Sequence, residues 1–424
     1  MAATMTEKIF AAHAREGRAR AGEIVSLTPD VLLLNDISGP VAFQQFDNMG
    51  ATRPFDPARV VLVADHFSPA KDVLTAESIK ILRAFADRHH IAHYYDTGNG
   101  GIEHTLLAEL GLVRPGGVVF GADSHTCTAG AFNASGMGFG STDLAAVLAL
   151  GELWVRVPDA IRVDLTGAPS SFVTGKDVIL TLIERIGSDG ALYASLEFGG
   201  PGLSVLNVDE RMAVANMAVE AGAETCVMEA DEQVKTFVEK RGASAISPIA
   251  ADPDAVYAAH KTIELDRLEP IVAAPPSPAN GTPVSSLAGI PVDQVYVGNC
   301  SNGTLTDLRQ AARILSGRKV ARGVRMIVVP ATQEIYRAAL REGLLEIFSE
   351  AGATISVPTC GACFGGHMGI LADGETAIAT TNRNFRGRMG DPGSNVYLAN
   401  AWVAAAAAVT GEISHPADVV GGTE

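Results

Sequence analysis

The chain has 424 residues, 47 % hydrophobic, 19 % charged and 6 % aromatic, with 44 glycines. That apolar content excludes a disordered chain, and the length suits two to four domains. A net charge of −16, from 32 basic and 48 acidic side chains, disfavours sequence-independent binding to nucleic acid or anionic lipid but leaves small anionic substrates open.

At the N-terminus, Arg15, Arg18 and Arg20 are interleaved with Glu7, Glu16 and Glu23, and no apolar signal core precedes them. No run reaches the ~18 apolar residues of a membrane span. Five cysteines are too few for a disulfide scaffold, so a reducing cytoplasm is expected. Short apolar runs alternating with helical periodicity predict an α/β protein. Residues 60–64 (VVLVA), 117–120, 294–298 and 325–329 read as buried parallel strands. Residues 73–90, capped by Asp72, and 142–156 read as helices, as does the Ala-rich stretch 401–409. Pro270, Pro275, Pro276, Pro278, Pro283 and Pro291 fall in one window, which predicts a domain connection free of helix and central strand. With a softer break at Pro158, three segments follow: 1–158, 159–275 and 280–424.

Reactive side chains cluster in glycine-rich turns after strands, where parallel sheets bind ligands. Asp65-His66 follows VVLVA, and Asp123-Ser124-His125 follows GVVF. Asp123 and His125 share a face in extended backbone, and a carboxylate on an imidazole suits proton transfer. His104 reads as a helix-start feature. Cys300 lies in NCSNGT after a strand, and Cys360-x-x-Cys363 lies in PTCGACFGG. Spacing alone leaves open a redox pair, half a zinc site, packing cysteines, or three thiolates on a 4Fe–4S cluster with one iron free of protein ligand. Cys127 and Cys226 read as buried packing residues. Asn382, Arg383, Arg386 and Arg388 sit in TTNRNFRGRMG, a turn suited to gripping carboxylates. GMGFG at 136–140 imitates a nucleotide-binding loop but reads as a helix-start turn packed on the cleft.

Together, GADSHT, GNCSNGT, PTCGACFGGHMG and TTNRNFRGRMG resemble the signature segments of the aconitase superfamily, and are most similar to its isopropylmalate dehydratase and homoaconitase branch. DHFSPAKD (65–72), DTGNGGIEH (96–104) and SLEFGGPG (195–202) extend the likeness over nearly the whole chain. The resemblance implies three α/β/α domains around a central iron–sulfur cleft, without the mobile fourth domain that single-chain members carry. It implies that Cys300, Cys360 and Cys363 hold a 4Fe–4S cluster with one open iron. Asp65, His66, Asp123 and His125 would handle protons, and Glu197 would support a cluster-bound water. Arg383 and Arg388 would bind substrate carboxylate, with Ser124, Ser301, Asn302 and Asn382 lining the site. Pro40 in DISGP, where aconitase proper has a glutamine, leans towards the isopropylmalate branch. The implied activity is isomerisation of 2- and 3-isopropylmalate through 2-isopropylmaleate, in leucine biosynthesis. It would need a small subunit carrying the swivel domain and the base. Competing readings are homoaconitase, a maleate, citraconate or dimethylmalate hydratase, an RNA-binding homologue, and a dehydrogenase using the glycine loop.

Overall fold

The run VVLV is buried at every residue of strand Val60–Val63, as a parallel strand covered on both faces must be. In the computed structural model, which describes residues 2–242 and 247–421, it lies in a five-stranded parallel sheet. Val31–Asn35 flanks it on one side and His93–Tyr95 on the other. Val118–Gly121 and Ser135–Gly138 follow beyond Val31–Asn35. A second parallel sheet runs Thr225–Met228, Ala194–Gly199, Asp159–Thr166, Ala259–Glu264. The third has seven strands, five of them parallel from Asn395–Leu398 through Thr376–Ala379, Gln294–Gly298 and Arg325–Val329 to Thr354–Ile355. Helices separate the strands, as the α/β expectation requires.

Helix Val73–His89 starts where the sequence predicts, with the Asp72 carboxylate accepting from the Thr75 amide at 2.8 Å. Ala401–Thr410 is capped by Asn400 and packed on nearly all sides, which its run of alanines permits. Three local expectations are corrected. The helix predicted over 142–156 spans Ser141–Leu150, because Gly151 takes φ +79° and ends it. Leu153–Arg156 then forms an antiparallel ribbon with Ile24–Leu27. The proline window contains two short strands, Ile271–Ala273 and Gly281–Pro283, at the edge of the third sheet, where proline's missing N–H is tolerated. Residues 271–273 thus join the third sheet, although the sequence reading set them in the second segment. Finally, GMGFG begins as strand Ser135–Gly138. A Cβ at Gly136 would overlap the Thr126 carbonyl, and one at Gly138 would stand 2.7 Å from that of Asp123. These glycines admit the 3₁₀ helix Ser124–Phe132 against the sheet, which leaves the dehydrogenase reading without its loop.

Among the described residues, no helix is long and apolar enough to cross a membrane.

Candidate active site

Strands Val60–Val63 and Val118–Gly121 are neighbours of the same central strand, so the turns at their carboxyl ends meet. Asp36, just beyond that central strand, accepts from the amides of His66 (3.1 Å) and Phe67 (2.8 Å) and so shapes the first turn. Asp65 Oδ1 lies 2.7 Å from His66 Nδ1, and its Oδ2 accepts from the Glu103 amide at 2.8 Å. The other ring nitrogen of His66 stands 3.7 Å from Asp123 Oδ2. Asp123 Oδ1 meets His104 Nε2 at 3.0 Å and His125 Nδ1 at 3.2 Å. His125 Nε2 lies 3.0 Å from Glu220 Oε1, which accepts from Arg383 Nε at 2.7 Å. Arg383 also donates to Ser124 Oγ at 3.0 Å. The result is one continuous chain of charge: Asp65, His66, Asp123, His125, Glu220, Arg383.

Burial in this chain penalises every charge, but the pairing outweighs it. His66 is raised well above its ordinary value, because Asp65, Asp123 and Glu103 overcome burial. His125 is raised by Asp123 and Glu220 against burial. Asp123 stays well below the usual carboxylate range despite burial, held there by His104, His125 and His66. Glu103 is the exception: burial first, then Asp65 and Asp123, raise it, and its Oε2 has no partner. The atoms of Asp36, Asp65 and His66, and those of His104, Asp123 and His125, each lie within 4.8 Å of one another. Either trio could hold a metal ion, although its members already spend lone pairs on each other.

The cysteine turns close on the same place. The Cys360 amide donates to the Asp65 carbonyl at 2.9 Å, and Thr105 Oγ1 donates to the Cys300 carbonyl at 3.3 Å. Cys300, Cys360 and Cys363 are buried and free of disulfides. Asn299 is the hub of the first turn. Held at φ +129°, it accepts through Oδ1 from the amides of Ser301 (3.1 Å) and Asn302 (2.9 Å). Its Nδ2 faces Cys363 Sγ at 3.8 Å, and Asn382 Nδ2 faces Cys300 Sγ at 3.2 Å. In the second turn, Gly361 takes φ +65° against the hydroxyl of the fully buried Tyr296, a place with no room for a Cβ.

Two of the three buried sulfurs, Cys300 and Cys363, face side-chain amide donors, and Cys360 bonds to Cys363; N–H groups stabilise negative sulfur. The hydrogen bond from Cys360 outweighs burial and, with Arg388, His125 and Asn299, holds Cys363 well below the usual thiol range. Arg388 Nε is buried without a partner beside these groups, an unspent donor. The donor set therefore fits an anionic, thiolate-held group. Cys127 and Cys226 differ in their partners rather than in the direction of their shift: burial pushes Cys127 up to about 12 and raises Cys226, as it raises Cys300, but among the described residues no side-chain amide donates to either sulfur.

Most of the residues singled out from sequence come together here; three do not serve as expected. Glu197 is fully buried, but it receives the amides of Met5 (3.1 Å) and Thr6 (2.7 Å) and the Tyr257 hydroxyl (3.0 Å). It anchors the start of helix Met5–His13 and touches no member of the cysteine site. Ser301 and Asn302 spend their side chains on the neighbouring elements, on Asn382 Oδ1 (2.7 Å) and Asp307 Oδ1 (3.0 Å) respectively, and so scaffold the site rather than line it. Glu220, between His125 and Arg383, is the glutamate that the chain of charge uses. With Asn216, Asp36, Glu103 and His104 it is a site residue that the sequence reading missed. Asn216 Oδ1 accepts from Asn382 Nδ2 at 2.7 Å. The spacing of Asn216 and Glu220 in NMAVE was an available signal, but it lies at a helix end with no glycine turn to mark it.

A model of the aconitase family (aconitate hydratase) matches residues 7–411. The chain is similar to the 3-isopropylmalate dehydratase large subunit 2 of Rubrobacter xylanophilus, with 54 % identity over 98 % of both chains. It is 51 % identical to the 3-isopropylmalate dehydratase large subunit of Heliobacterium modesticaldum, over 99 % of this chain and 100 % of that one. Among solved structures, the holo-form of Thermococcus kodakaraensis aconitase X aligns with a TM-score of 0.51 at 11 % identity, covering 86 % of this chain and 87 % of that one. At that identity the likeness bears on fold alone.

Proposed function

This chain belongs to the aconitase family, and on that footing we propose that it is the large subunit of a hydro-lyase interconverting 2-isopropylmalate and 3-isopropylmalate through 2-isopropylmaleate, in leucine biosynthesis. The observation that carries the reading is the convergence of three buried cysteines on an Asp–His–Asp–His–Glu–Arg chain. The substrate follows the names of relatives at about half identity over their whole length.

Cys300, Cys360 and Cys363 would hold a 4Fe–4S cluster, whose iron without a protein ligand supplies the Lewis acid that makes hydroxide a workable leaving group. Arg383 holds a substrate carboxylate: Glu220 and Ser124 fix its guanidinium so that the remaining N–H groups face the cleft. His66, steadied on Asp65, gives its Nε2 proton to the departing oxygen. Asp123 favours the protonated rings of His66 and His125. A small subunit brings the base that takes the proton from the neighbouring carbon. Reversal of these transfers at the other carbon completes the isomerisation.

The test is anaerobic reconstitution of the chain with its small subunit, followed by loss of the alkene absorbance of 2-isopropylmaleate. Turnover with about four irons per chain is expected. Faster turnover of maleate, citraconate, dimethylmaleate or homoaconitate would move the substrate. Full iron content without turnover of any diacid would refute the hydro-lyase.

A further inference from the structure

Lys176 is the second residue of helix Gly175–Ile186 and has no exposed surface. Its ammonium donates to the carbonyls of Thr380 (3.0 Å) and Thr381 (2.7 Å). Among the described residues it makes no ion pair with a carboxylate. The adjacent Asp177 is spent on the Thr174 amide (2.7 Å), the Ile271 amide (2.8 Å) and Asn400 (2.8 Å). A buried ammonium satisfied only by carbonyls is costly unless negative charge lies near. The groups whose charge acts on it are Cys363, Asp307, Cys300 and Glu220, in that order. Asp307 is occupied by Thr304 and Asn302, and burial pushes it up to about 6. Glu220 already has His125 and Arg383. Cys363 has Arg388 and His125 near it, and Cys300 has no cation among the main influences on it. The two carbonyls that fix the ammonium belong to the residues immediately before Asn382, whose Nδ2 faces Cys300 Sγ at 3.2 Å, and Arg383.

We propose that Lys176 is a fixed counter-charge of the Cys300 and Cys363 thiolates and, through the Thr380 and Thr381 carbonyls, the positioning residue of Asn382 and Arg383. This rests on reading the three cysteines as a cluster site. Without Lys176, less of the negative charge of three thiolates and a cluster would be offset in a medium that solvates it poorly. Burial draws the ammonium down to about 8, so it needs that negative charge to stay protonated.

The test compares wild type with Lys176→Gln, Lys176→Met and Lys176→Arg. Each is reconstituted anaerobically, assayed for iron and sulfide, and titrated for the midpoint potential of its cluster by electron paramagnetic resonance. Reduction adds one negative charge, so both uncharged variants should show a lower potential and faster iron loss, and Lys176→Arg should stay near wild type. Lys176→Gln keeps two N–H donors for the carbonyls, which isolates charge from scaffolding. Equal potentials in all four proteins would overturn the proposal alone. So would an Arg variant that falls as far as the Gln one, or a Gln variant that does not fold, since either assigns Lys176 to the fold. A wild-type chain that takes up no iron would overturn the cluster reading and this proposal with it.

Discussion

With Nδ1 2.7 Å from Asp65 and Nε2 3.7 Å from Asp123, the His66 ring has a carboxylate at each nitrogen. Both favour the doubly protonated ring, and burial alone opposes it. A proton donor loaded in this way should lose activity on the alkaline side, as pH rises through its raised pKa. In the complex with the small subunit, His66→Ala should lower kcat by about 10²–10⁴-fold and change KM far less. It should also abolish the alkaline limb of the pH–kcat profile. A change in KM alone would remove His66 as the acid. Arg383→Lys tests the other half of the site. One guanidinium reaches Glu220 through Nε and Ser124 through a terminal nitrogen, and an ammonium cannot span both while also facing substrate. The loss of one charged hydrogen bond, about 2 kcal/mol, predicts a roughly thirtyfold rise in KM. An unchanged KM would place substrate elsewhere.

At the scale of elements, the turns after strands were legible because apolar runs and glycines mark them. Strand Val60–Val63 ends at Asp65-His66, and Gln294–Gly298 ends at Asn299-Cys300, as the sequence indicates. What could not be read was which polar residue of a segment faces which neighbour. Glu197 sits in a strand beside a glycine turn, the pattern of a site residue, yet helix Met5–His13 claims it from 191 residues away in sequence. His104 opens a helix and resembles a cap, yet that helix aims it at Asp123. Partners so distant leave no local trace. Glu197→Gln weakens the anchoring of two amides and two hydroxyls, from Thr6 and Tyr257, and should destabilise the chain by about 1–3 kcal/mol. Activity per cluster should be unchanged in protein that remains folded. An inactive variant with wild-type melting would return Glu197 to the site.

For the whole molecule, the chain of charge ties the sheets together. Asp65, His66, Asp123 and His125 extend from the first sheet, and Glu220 precedes Thr225–Met228 of the second. Arg383 follows Thr376–Ala379 of the third. Glu220 joins His125 to Arg383, so its carboxylate holds three parts of the fold in register. Burial raises Glu220, but His125 and Arg383 outweigh that and lower it from the ordinary 4.5. Its contribution to stability is therefore present above pH 4.5 and lost as pH falls through the depressed value. His125, raised from the ordinary 6.5, contributes fully below that pH and loses its share as pH rises through the raised value. Glu220→Gln leaves Arg383 without its carboxylate and His125 with Asp123 alone, and should cost about 3 kcal/mol at its worst. That penalty should peak between about pH 4.5 and 6.5. On the acid side it should vanish as wild-type Glu220 itself protonates. On the alkaline side it should shrink only in part, because Arg383 stays charged after His125 has lost its proton. Urea melts of wild type and variant from pH 3 to 9 measure this window directly. A stability difference that does not change across that range would mean that Glu220 acts by packing, and that the charge chain does not bind the three sheets.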